Sequence, residues 1–186
     1  MNKFEDIKDN LQSGDMILCS GNYPVSKIIR EVTNSEYSHV GIIHKRGDEI
    51  CIVESVESVG VRCVNFESKY LCDYKNNKRY DGKVDIARNL KFKDLSYDSV
   101  IKLFDKAYHL MGFKYNNEEI WDIAARIMMN RHSGHPVDHG KYICSEYVYF
   151  CFKAAGIDLY YDDRGFISPK NILEDENVEL IYKDVR

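Results

Sequence analysis

The 186-residue sequence predicts an α+β fold, an antiparallel sheet with helices packed against it, from three observations. Two apolar runs, 40–44 and 50–56, flank Lys45-Arg46-Gly47-Asp48, a hairpin turn between two strands. Other short apolar runs of strand type stand at 16–19, 61–66, 84–87 and 178–182. The second half changes to helical spacing, with Val100, Leu103, Phe104, Ala107 and Leu110 on one stripe.

Taken in order, residues 3–11 put Phe4, Ile7 and Leu11 on one face of a short amphipathic helix, and Gly14-Asp15 introduces the strand at 16–19. Pro24 suits a first helical turn, where its missing N–H costs nothing; Val25, Ile28, Ile29 and Val32 follow at helical spacing. After the hairpin come the strand at 61–66, a polar stretch at 73–82, and the strand at 84–87. The helix bearing the Val100 stripe ends at Gly112, and 118–129 forms another, carrying Trp121, Ala125 and Met128. Residues 130–140 read as a polar loop holding three histidines, Gly134 and Pro136. A helix over 142–155 is stopped by Gly156, and a turn at Ser168-Pro169 leads to the last strand. One domain over 1–186 accommodates this order, long enough to bury a core.

With 44% apolar and 30% charged residues, the balance is that of a soluble globular protein. A net charge of −4 leaves no basic footprint for nucleic acid. The first residues carry no apolar stretch of signal-peptide type and no segment has the apolar length to span a bilayer, so a cytoplasmic location is expected. The six cysteines contain no CxxC pair, and reduced thiols are expected rather than a disulfide framework. The lack of an export signal gives little support to cleavage of a cell wall.

A histidine early in the chain and a cysteine late carry the chemistry. Cys144, in Lys141-Tyr142-Ile143-Cys144-Ser145-Glu146, opens the helix that follows the polar loop. The first-turn N–H groups of a helix favour a thiolate. Positions 144, 147, 148, 151 and 155 share a face, so Cys144 points toward the sheet; most buried cysteines are merely small core hydrophobes, a role that suits Cys151 better. His39 starts a strand, with Gly41 on the same face leaving room for another group, whereas His44 faces the other way. A two-residue turn at Arg46-Gly47 or Gly47-Asp48 sets His39 against residue 54 or 56, and either register puts Glu54 on its face. A three-residue loop would turn Glu54 away; Glu57 is the alternative acid but lies on the opposite parity. A carboxylate within the apolar run 50–54 needs a partner, and His39 would supply one unless Glu54 is an exposed edge residue. The loop set His132, His135 and His139, with Asp138, has a spacing open to zinc; Gly134 and Pro136 break the helix that would align it, and a solvated loop or substrate lid is the other reading.

These segments together resemble the permuted papain-like superfamily, circularly rearranged relatives of NlpC-type peptidases. The nearest likeness is to the YiiX/YebB-like group, which has bacterial and poxviral members and is related to lecithin:retinol acyltransferase. The likeness is carried by Gly14-Asp15-Met16-Ile17-Leu18, Tyr37-Ser38-His39-Val40-Gly41-Ile42, Val53-Glu54-Ser55, Gly112-Phe113-Lys114-Tyr115-Asn116, Tyr142-Ile143-Cys144-Ser145-Glu146-Tyr147-Val148, Ala155-Gly156-Ile157-Asp158-Leu159 and Ser168-Pro169. It runs from about residue 13 to 175, in one shared order. The resemblance implies a small barrel-like antiparallel sheet, with Cys144 as nucleophile, His39 as base and Glu54 as the residue orienting the histidine. Tyr147 departs from an aliphatic pattern, and the histidine loop is a local elaboration.

The expected activity is hydrolysis of an amide, ester or thioester in a small acyl, lipid or peptide substrate through an acyl-enzyme, without cofactor or metal. The Cys144 N–H would hold the oxyanion, with Tyr115 or Tyr142 as a second donor. Acyl transfer, and a lipid-binding module with a vestigial triad, are the rival functions. Phe113, Trp121 and Met128 are candidates for an acyl pocket, though apolar residues at helical spacing are more often core.

Overall fold

The computed structural model describes residues 4–72, 78–132 and 134–186. Residue 3 of the first helix, 73–77 of the polar stretch and 133 of the histidine loop lie outside them. Among the described residues, six strands form one antiparallel sheet in the order β4-β3-β2-β1-β5-β6. They are β1 (Met16–Gly21), β2 (His39–Arg46), β3 (Glu49–Val56), β4 (Gly60–Asn65), β5 (Gly82–Asn89) and β6 (Val178–Tyr182). Strands such as β2 and β5 outrun their apolar signal, because ladder hydrogen bonds also recruit flanking polar residues.

Arg46 pairs with Glu49, leaving Gly47-Asp48 as the two-residue turn between β2 and β3. Gly47 takes the left-handed φ of 59° that such turns favour. The register, Ile42 against Val53, continues to place Gly41 opposite Glu54, so His39 and Glu54 are diagonal neighbours on one face. On the other side of β3, Glu54 stands directly opposite Arg62 of β4.

One face of the sheet, with Met16, Leu18, Val40, Ile42 and Val53, packs on α3 (Tyr97–His109) and α5 (Cys144–Ala154). The opposite face gathers Ile17, Cys19, Ile43, Ile52, Val84 and Ile86. Phe4 and Ile7 of α1 (Phe4–Ile7) cover it, with Phe66 and with Tyr70 from a turn of π-helix at Glu67–Leu71. Val64 of edge strand β4 and Ile181 and Tyr182 of edge strand β6 pack on this same cluster, which gives the sheet its barrel-like interior.

A smaller apolar cluster joins α2 (Pro24–Thr33) to α4 (Asn117–Met129), through Ile28, Ile29 and Val32 against Ile120, Ile123 and Ile127. The stripe expected to matter on α4 does not: Trp121 is 64% exposed and Met128 85%. Helix α4 carries two apolar stripes, and the isoleucines at 120, 123 and 127 take the inner face, which turns the tryptophan outward. Ser168-Pro169 proves to be the start of another helix, α6 (Pro169–Glu174), with Ser168 Oγ accepting from Asn171 N at its N-cap. All six cysteines are free. Among the described residues no helix is long and apolar enough to cross a membrane.

Candidate active site

Helix α5 begins at Cys144 itself, with Ile143 as its N-cap. The Ile143 N–H is bound by Glu146 Oε2 at 3.0 Å, which pins the first turn. Tyr147, Val148 and Cys151 bury the same face as Cys144, and Tyr147 donates its hydroxyl to the Ala107 carbonyl at 3.0 Å. Burial continues around the helix through Ser145, Glu146, Tyr149 and Phe152, so α5 is a core element with its N-terminus aimed at the start of β2. There the Cys144 thiol lies 3.9 Å from the Ser38 carbonyl, one residue before His39, and is 2% exposed.

The structure brings the three residues singled out from the sequence together. His39 Nε2 is 2.6 Å from Glu54 Oε2. With that nitrogen taken, Nδ1 is the ring nitrogen that remains to serve the Cys144 thiol, whose sulfur reaches the backbone one residue before the imidazole. Burial lowers the His39 pKa, but the Cys144 hydrogen bond and the Glu54 hydrogen bond and charge outweigh it and raise it to about 10. Gly41 is what lets Glu54 approach: a Cβ there would stand 2.8 Å from Ile52 Cγ2 and 3.2 Å from Glu54 Cβ.

Glu54 is wholly buried and held by residues that the sequence reading missed. Arg62 donates from Nε at 2.9 Å and Nη2 at 2.7 Å to Oε1, while the Tyr70 hydroxyl donates to Oε2 beside His39. Burial alone would raise this carboxyl, yet His39, Arg62 and Tyr70 bring it down to about 2. It is therefore a fixed anion, and the imidazole is oriented against it. Arg62 was within reach of the sequence, since the parity count carried through the loop Glu57-Ser58-Val59 puts it opposite Glu54. Tyr70 sits on a π-helical turn that has neither strand nor α-helix periodicity.

Two openings meet at this group. A cleft of about 590 Å³ is bordered by His39 and Arg62, with Tyr70, Tyr80, Lys69 and Glu57 also on its wall. A narrow crevice, bordered by Cys144, runs between α2 and α4. Ile29 and Tyr115 line both. Tyr115 thus stands at the junction, where burial first and the neighbouring Cys144 next push its hydroxyl pKa well up.

Tyr142 does not join them. Its hydroxyl donates to Asp138 Oδ1 at 2.5 Å and its ring packs on Phe113 and Phe150, while its carbonyl accepts from Ser55 Oγ at 2.7 Å. Phe113, Trp121 and Met128 line neither opening. His44 faces away, stacked on Phe104 with Nδ1 2.7 Å from the Tyr108 hydroxyl. In the histidine loop, His132 pairs with Asp163 at 3.3 Å and His135 with the Tyr161 hydroxyl, so those two imidazoles are committed to different partners. Among the described residues no three His, Cys, Asp or Glu side chains are grouped to hold a metal.

Residues 10–180 match the family described as permuted papain-like amidase enzyme, YaeF/YiiX, C92 family. Among solved structures, the fold is similar to that of the metalloprotein yiiX from Escherichia coli O157:H7. The two share 17% sequence identity and a TM-score of 0.67, over 94% of this chain and 98% of that one. No curated protein matches the chain.

Proposed function

The chain belongs to the permuted papain-like amidase family, and on that premise we propose that it hydrolyses an amide, ester or thioester with Cys144 as nucleophile. His39 takes the thiol proton and Glu54 holds the resulting imidazolium. The Cys144 sulfur adds to the substrate carbonyl carbon, forming a C–S bond and placing negative charge on the oxygen. That oxyanion is held by the Cys144 N–H, which at the first helical position has no intrahelical acceptor, and by the Tyr115 hydroxyl. On collapse the bond to the leaving nitrogen, oxygen or sulfur breaks, and that atom receives the proton from His39. Water then attacks the thioester with His39 as base, the acid departs, and the thiol is restored.

What supports the reading is one arrangement: an imidazole hydrogen-bonded to a buried, ionised carboxylate, beside a thiol at a helix start whose sulfur lies 3.9 Å from the Ser38 carbonyl. No step runs through a metal of the kind named for yiiX, because no donor group for one is assembled among the described residues. The test is turnover of small chromogenic esters and anilides by the whole chain and by Cys144→Ala. The expected result is hydrolysis by the native chain and loss of at least about a thousandfold in the variant, in line with removal of a covalent nucleophile. Turnover retained in folded Cys144→Ala would overturn the assignment.

A further inference from the structure

The two openings divide the substrate. Cys144 borders the crevice and not the cleft, whereas His39 borders the cleft and not the crevice. In the chemistry proposed above, the acyl carbon becomes bonded to Cys144 and the leaving atom is protonated by His39. The acyl side of the scissile bond therefore belongs with the crevice, and the leaving group with the cleft.

The crevice has a definite chemical character. Its walls are Ile29 and Val32 of α2, Ile120 and Ile123 of α4, and Ile143 beside the nucleophile. Of its four hydroxyl-bearing residues, Tyr115 is the oxyanion donor proposed above, and the other three make internal hydrogen bonds. Thr33 Oγ1 donates to the Ile29 carbonyl at 2.7 Å, Ser145 Oγ to the Ile167 carbonyl at 2.7 Å, and Ser168 Oγ to Asn171 Oδ1 at 2.7 Å. With the Tyr115 hydroxyl engaged by the oxyanion, a polar group further along the acyl chain would find no other uncommitted hydroxyl there and would lose its water. The α2 wall residues Ile29 and Val32 are only partly covered, as the side of an open slot would be. The enclosed part is small, about 20 Å³, within a crevice of about 340 Å³ counted out to open solvent, so a few carbons can enter from its mouth while a long chain finds no enclosed depth.

We propose that the crevice between α2 and α4 is the acyl-group site, and that it selects a short aliphatic acyl group, while the larger and more polar leaving group lies in the cleft. The proposal rests on Cys144 acting as nucleophile. Its geometry disfavours two other classes: polar acyl groups, for want of partners, and long chains, for want of depth.

The experiment is a series of thioesters with one common leaving group and acetyl, butyryl, octanoyl or succinyl as the acyl part, each scored for acylation of Cys144 by intact mass. Burial of methylenes predicts a rise of about fourfold per carbon from acetyl to butyryl. Octanoyl is expected to gain nothing over butyryl, and succinyl to react at least tenfold more slowly. Two substitutions at Val32, a partly exposed position, place the effect in the crevice. Val32→Phe should lower the butyryl-to-acetyl ratio, and Val32→Ala should raise the octanoyl-to-butyryl ratio. Equal rates for acetyl and butyryl, or ratios unmoved by both substitutions, would overturn the acyl-site assignment. If Cys144 takes no acyl group from any thioester while the protein is folded, the nucleophile assignment fails instead.

Discussion

Replacing Glu54 by Gln keeps the side chain's shape and removes its charge. The native carboxylate accepts from His39, Tyr70 and, twice, Arg62. An amide offers one oxygen and a donor NH2, so one side of this set loses its acceptor. Arg62 is 23% exposed and can turn to water, whereas the Tyr70 hydroxyl is buried; a stability loss of about 1–3 kcal/mol follows. The charge-assisted bond to the imidazolium is worth about 1.5–3 kcal/mol. At about 1.36 kcal/mol per decade, its loss lowers kcat/KM roughly 10- to 100-fold. The pH dependence supplies the sharper signature. The His39 pKa is raised above its ordinary 6.5 to about 10, partly by Glu54, so the basic limb of the kcat/KM profile should move down in the variant. Stability responds with the matching sign. The stabilisation linked to His39 is complete below about pH 6.5 and is lost as pH rises through about 10. That linked to Glu54 is complete above about pH 4.5 and is lost as pH falls through about 2. Urea unfolding of the native chain should therefore show this pair's contribution at its fullest between about pH 4.5 and 6.5, and the variant should show a flatter curve. A folded Glu54→Gln protein with native rate and an unmoved basic limb would refute the reasoning.

Other perturbations follow from the same contacts. Tyr70→Phe removes a buried donor from Glu54 and should cost about 1–2 kcal/mol in urea unfolding, with the acid limb of activity moving up because the carboxyl loses a partner that holds its pKa down. Gly41→Ala forces a methyl against Ile52 and Glu54, and should cost about 1–3 kcal/mol with activity falling alongside, as read by melts and kcat/KM on one preparation. Glu146 is pushed up to about 8, chiefly by burial, against the bond from the Ile143 N–H. Its linked stabilisation is complete below about pH 4.5 and is lost as pH rises through about 8; Glu146→Gln, which keeps an acceptor for Ile143, should erase that slope in melts taken across this range.

How much of this was legible beforehand depends on whether a residue obeys a period. The turn Gly47-Asp48 and the alternation of a strand were enough to put Glu54 on the face of His39, because side chains two apart must share a face. Arg62 follows the same rule one hairpin later. Tyr70 follows none, since a single π-turn has no repeat and its contact with Glu54 is made only once the sheet is closed over it. On α4 periodicity was ambiguous: two apolar stripes fit the same helix, and only the isoleucines of α2 decide which is buried. Tyr142 misled for a different reason. Its closeness to Cys144 in sequence says nothing of direction, and Asp138 turns its hydroxyl away.

The central claim is that Cys144 carries the acyl group. Peptide mapping after brief exposure to a thioester at neutral pH, quenched in acid, measures it directly. The account predicts one acyl adduct, on the peptide containing Cys144, abolished in Cys144→Ala and retained in Cys151→Ala, whose thiol is buried two turns deeper in the helix. An adduct on any other cysteine with Cys144 unmodified, or labelling that survives in Cys144→Ala, would contradict it.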